Sequence, residues 1–138
     1  MQESNSTMAQ RIAQAASVLE HRRTGHAPKS VTVVLSEDTL VITLHGALSP
    51  AEQALAKSPA GAAQVQEFHR QLFTDAADSL RQDIKRITGV EVCEETAEVG
   101  PLAGPVIKMF TNGTMVQVFL LARTVPTEVW SDGGNVAT

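Results

Sequence analysis

The sequence predicts an α+β fold of two layers, with helices on one face of an antiparallel or mixed sheet of about five strands. Three observations carry this. Two β-branched runs, residues 31–35 and 40–44, flank the polar connection Ser36-Glu37-Asp38-Thr39, which is a hairpin signal. A far longer stretch with helical apolar periodicity follows between Pro59 and Gly89. Two further apolar runs, 106–111 and 114–122, flank Asn112-Gly113, a dipeptide that strongly favours a tight hairpin. The order of elements so read is α-β-β-α-α-β-β-β. Residues 1–123 form one domain in this reading, and 124–138, with Pro126 and Gly133-Gly134 but no period, form a C-terminal tail.

Each element has a local reason. Met8, Ile12, Ala15 and Leu19 recur at helical spacing with Val18 beside them, so a helix is expected over about 6–23. Ser6 or Thr7 can cap its start, and His21, Arg22 and Arg23 suit the negative end of its dipole. Gly25 supplies the stop, and Pro28 prevents the helix from resuming. In the second strand, Leu40, Ile42 and Leu44 share one face and should meet the helices, while Val41, Thr43 and His45 share the other. Ser49, Pro50 and Glu52 spell a capping box with proline at the first helical position. The short helix that follows ends near Lys57. Ser58-Pro59 repeats the signal and opens a helix with the stripe Val65, Phe68, Leu72, Ala76, Leu80, Ile84 and Ile87. At about 1.5 Å per residue it is roughly 40 Å long, more than one small sheet requires, so part of the stripe is expected to meet a second subunit. Residues 90–93 read as a further strand.

Composition narrows the function. The 138 residues are 43% hydrophobic and 4% aromatic with no Tyr, so the core is aliphatic. A formal charge of −4, with no basic run longer than Arg22-Arg23, argues against nucleic acid as a partner. No apolar run approaches the ~20 residues that span a bilayer. A polar start without an apolar core and the single Cys93 suit a cytoplasmic protein. His21, His26, His45 and His69 lack metal-ligand spacing and Cys93 is the only thiol, so no metal and no cofactor are expected.

The chain resembles the MpsC-like family. The residues that carry this are Gly25-x-x-Pro28, a hairpin, Leu48-Ser49-Pro50-Ala51-Glu52-x-x-Leu55, and a long helix ending Ile87-Thr88-Gly89-Val90. The family takes its name from a proposed Na+-translocating, membrane-potential-generating system. The resemblance implies a small cytoplasmic α+β protein, accessory to membrane transport, and it carries no catalytic residues over. Residues 100–113 look like an insertion that adds a strand, and those after Arg123 extend past the family's usual end.

Two function classes follow. In the first, a non-enzymatic accessory or regulatory binding module forms a homodimer through the long helix and one sheet edge. Phe119 and Trp130 are its candidate partner contacts; Phe119 is either core, with Met109, Phe110 and Met115 on the last hairpin, or part of an adaptable partner surface, and Trp130 either docks on a neighbour or folds back on its own sheet. In the second, a sensor or enzyme holds a small anion near Gly25, Pro28, the Ser49 helix start and Arg70, where free N–H groups and a guanidinium can meet negative charge. Ser49 and Glu52 as nucleophile and base compete with their use as a helix cap, which needs nothing further. The acidic residues Glu91, Glu94, Glu95 and Glu98 read as a solvated strand face, and a basic partner is the competing reading.

Overall fold

The computed structural model describes residues 7–93, 106–109, 112–125 and 134–137, the backbone alone for 106–109 and 134–137. The elements are α1 (Met8–Thr24), β1 (Ser30–Ser36), β2 (Thr39–His45), α2 (Pro50–Leu55), α3 (Pro59–Thr88), β3 (Val106–Met109), β4 (Met115–Leu120) and β5 (Gly134–Ala137). The fold is α+β. Its sheet centres on three antiparallel strands, β1, β2 and β4, with β2 in the middle.

The hairpin forms as its composition requires, with Ser36 opposite Thr39, so the connection tightens to Glu37 and Asp38. Glu37 adopts a left-handed φ of 59° to make that turn. Leu40, Ile42 and Leu44 are fully buried, joined on the inner face by Val31 and Val33 of β1 and by Met115, Gln117 and Phe119 of β4.

The strands at the sheet edges depart from expectation. β3 pairs with β4, but the run at 90–93 contributes one bridge, Val92 to Leu121, instead of a strand. β2 and β3 already occupy the two edges of β4, so only its end is open. There Cys93 N–H donates to Leu120 O and Ala122 N–H to Glu91 O. Conversely, the segment read as a tail supplies β5, antiparallel to β1, with Val31 opposite Val136. A pairing between residues about a hundred positions apart leaves no periodic mark in a four-residue run. Trp130 lies outside the described residues, as do Glu94, Glu95 and Glu98.

Both long helices bury most of the stripe expected, including Ile12 of α1 and Val65, Ala76, Leu80, Ile84 and Ile87 of α3, and depart from it at particular positions. α1 buries Ala9, Ile12, Ala13, Ala16 and Ser17, leaving Val18 exposed and Leu19 half-buried. It packs on β1, β5 and α3 at once, and small side chains permit that close approach. α3 buries Val65, His69, Phe73, Ala76, Leu80, Ile84 and Ile87, so Phe68 faces solvent and Leu72 is half-buried. The expected and observed α3 stripes differ only in Phe68 and Leu72 against His69 and Phe73; both pairs obey helical spacing, and only tertiary packing chooses between them. Where α3 starts, Gly61 sits so near the end of α2 that a Cβ there would lie 1.8 Å from Leu55 O. No other residue fits that position without moving the two helices apart. No described helix is long and apolar enough to cross a membrane.

Candidate functional site: a buried Glu–His–Glu chain

Ser49 caps α2 as its spacing predicts. Its Oγ accepts from Glu52 N at 3.3 Å, and Glu52 Oε1 accepts from Ser49 N at 3.0 Å and from Ser49 Oγ at 3.1 Å. Glu52 has a second oxygen, and the structure uses it. Oε2 lies 2.7 Å from Nε2 of His69, a side chain only 2% exposed on the inner stripe of α3. On the other side of the ring, Nδ1 stands 3.7 Å from Oε2 of Glu20, in the last part of α1. Three helices thus place one imidazole between two carboxylates.

The two carboxylates differ electrostatically. Burial drives the Glu20 carboxyl up from 4.5 to about 7, and the negative charge of Glu52 adds to the rise. Burial also acts upward on Glu52, but the Ser49 N–H, the His69 hydrogen bond and the His69 charge together outweigh it and hold this carboxyl below its usual value. Glu52 is therefore the ionised member and can only accept, which assigns the proton on Nε2 to His69 as donor. Glu20, His69 and Gln117 line a cavity of about 20 Å³, together with Leu72, Phe73 and Met115 among others.

Serine, carboxylate and histidine meet here in an order unsuited to nucleophilic catalysis. A base must stand beside the hydroxyl, with the carboxylate behind it. In this chain Glu52 stands between Ser49 and His69, so the hydroxyl donates to the carboxylate. The arrangement fixes α2 to α3 and to α1.

The anion-site residues are distributed differently. Gly25, in the left-handed conformation at φ 78°, ends α1 by donating its N–H to His21 O. Pro28 is buried, and its loop is tied to the turn before Ser49 through His26 Nε2 with Gly46 O (3.1 Å) and Lys29 N with His45 O (2.7 Å). Arg70 is exposed and forks onto Glu67 at 3.0 and 2.6 Å, bonds that hold the Glu67 carboxyl below its usual value. Among the described contacts none joins Arg70 to Ser49 or to the loop. Of its two readings Phe119 takes the core one: it is fully buried against Phe73, with ring centroids 5.9 Å apart, and is not a partner contact of the folded chain.

The sequence did not single out Glu20, and it left His69 off the inner stripe of α3, because both count as polar. The signal was the spacing Val65, His69, Phe73, Ala76, which places a histidine at a core position. Among the described residues no group of three or more His, Cys, Asp or Glu is placed to hold a metal ion.

The family model described as "Na+-translocating membrane potential-generating system (MpsC)" matches residues 4–122. The chain belongs to the MpsC family. No curated protein and no solved structure matches it. In this MpsC-family chain the match takes in the capped α2, both long helices and β1, β2 and β4.

Proposed function

We propose that this chain is a non-enzymatic, cytoplasmic accessory or regulatory module of a Na+-translocating membrane system, working as a homodimer through the sheet face that no described helix covers. The observation that carries the proposal is a valine row on that face. Val34 lies opposite Val41, and Val41 opposite Val118, with Val116 and Leu120 beside them on β4. Val34 and Leu120 are 45% and 47% exposed. An antiparallel sheet with one face in water ordinarily alternates apolar inward and polar outward. Here apolar residues point both ways.

A second copy fits this face because a row of valines is its own complement, and two such sheets pack about 10 Å apart. The three central strands, β1, β2 and β4, six or seven residues long and ~4.8 Å apart, span roughly 15 Å by 20 Å. That suffices for the apolar centre of a standard interface of about 800 Å² per partner. The long helix supports the interface less well, because most of its stripe is spent on its own core.

Light scattering during size exclusion tests the reading. The wild-type chain should run at twice its chain mass, and Val34→Lys at the mass of one chain with its far-UV spectrum unchanged. A monomeric wild type would overturn the homodimer. The competing reading, a small-anion site at Gly25, Pro28, Ser49 and Arg70, predicts that phosphate or a nucleotide raises the melting temperature, and that Arg70→Ala abolishes the rise.

A further inference from the structure

The Glu–His–Glu chain ends in unfinished hydrogen bonding. Glu20 Oε2 and Gln117 Oε1 are buried and have no hydrogen-bond partner among the described residues, and both residues line the 20 Å³ cavity beside His69. One water needs ~10–15 Å³ and two to four polar partners. His69 supplies the third polar group. Its Nε2–H is committed to Glu52, and Nδ1 stands 3.7 Å from Glu20 Oε2, too far for a direct hydrogen bond and near enough for one water to touch both.

We propose that this cavity is a proton-binding site, in which one proton is shared between Glu20 and His69 through a water that also bonds Gln117. The argument is a count of donors. An ionised Glu20, a bare Nδ1 and Gln117 Oε1 are three acceptors, and a water brings two hydrogens, so one buried acceptor stays unsatisfied. One added proton completes the set in either of two ways. On Glu20, the carboxyl O–H donates to the water, which donates to Nδ1 and to Gln117. On Nδ1, the ring N–H donates to the water, which donates to Glu20 and to Gln117. The proton passes between these arrangements by exchange through the same water, and it is taken from or released to solvent.

Among the described residues two further charged groups stand near the site. Glu52 on α2 faces the far side of the ring and favours a proton between the carboxylates. Arg23 on α1 also lines the cavity, but its side chain is exposed and its charge is screened by water. Gln117, the β4 contribution, is uncharged. Release of the proton leaves two carboxylates about an uncharged ring where α1, α2 and α3 meet, so proton occupancy is coupled to the packing of the helices. The inference stands on the cavity and is independent of the sheet-face interface.

Nuclear magnetic resonance on the full chain, labelled at glutamate carboxyl carbons and histidine ring nitrogens, tests it. The Glu20 carboxyl signal should move in one step near pH 7, with the His69 ring signals moving in that same step. A Glu20 that titrates in the ordinary carboxylate range would overturn the site. That is the result expected if the Gln117 amide is turned so that its N–H satisfies the carboxylate directly. In Glu20→Gln the His69 signals should lose the step. A step that persists unchanged would put the proton on His69 alone and overturn the sharing. Should that variant fail to fold, the wild-type Glu20 titration decides.

Discussion

Ile42 and Val41 are adjacent on β2 and face opposite ways. Ile42 is fully buried under the helices, and Val41 is half-exposed in a row with Val34 and Val118. The inner side of the sheet, where apolar residues belong, also encloses Gln117, His69 and Glu20. The outer side, where polar residues belong, carries valines. Each departure costs stability in the isolated chain: buried polar groups must find partners, and exposed apolar area gains nothing from water. The difference teaches where to look for function. Such costs mark where binding is to be tested, the proposed proton on the inside and the proposed second chain on the outside.

Substitutions on the two faces should separate these roles. Ile42→Ala removes side-chain volume from the packed face and should cost about 2–5 kcal/mol in a urea melt. A loss below about 1 kcal/mol would mean that the inner face is not the principal core.

The next effect depends on pH. The Glu20 carboxyl binds its proton at about 7 in the folded chain against 4.5 ordinarily, so its stabilising contribution is complete below pH 4.5 and is lost as pH rises to 7. Glu52 has the opposite sign, because its carboxyl is held below the usual value. Its contribution is present above pH 4.5 and fades as pH falls through the folded value. Glu20→Gln cannot ionise. It should match the wild type near pH 4.5 and exceed it at pH 8, by at most roughly 3 kcal/mol. Parallel stability curves for the two proteins would show that Glu20 is not the titrating group.

Ser49→Ala removes the cap and should cost about 1 kcal/mol, with the His69–Glu52 hydrogen bond kept. Loss of partner binding in the folded variant would mean that Ser49 does more than cap a helix. The smallest effect belongs to the outer face. Val41→Thr should change the stability of the monomer by no more than about 0.5 kcal/mol while weakening the dimer, as read by sedimentation at low concentration. An unchanged dimer would move the interface elsewhere.

What the sequence determined by itself is local. The Ser49 and Ser58 caps, the stop at Gly25, the first hairpin and the inward face of β2 depend on residues within a few positions of one another, where backbone sterics and hydrogen bonding act directly. The family was legible for the same reason, since its motifs are these local signals. Tertiary structure decided the rest. It put His69 and Phe73 of α3 inward where Phe68 and Leu72 have the same helical spacing, because Glu52 gives His69 a partner and lets a polar ring replace Phe68 in the core. It reduced the run at 90–93 to a bridge because the edges of β4 were taken, and it joined residues 134–137 to β1. It also brought Glu20, Glu52, His69 and Gln117 together from three helices and a strand. No local propensity encodes a contact between residues dozens of positions apart. Such a contact exists only once packing has removed water from between them.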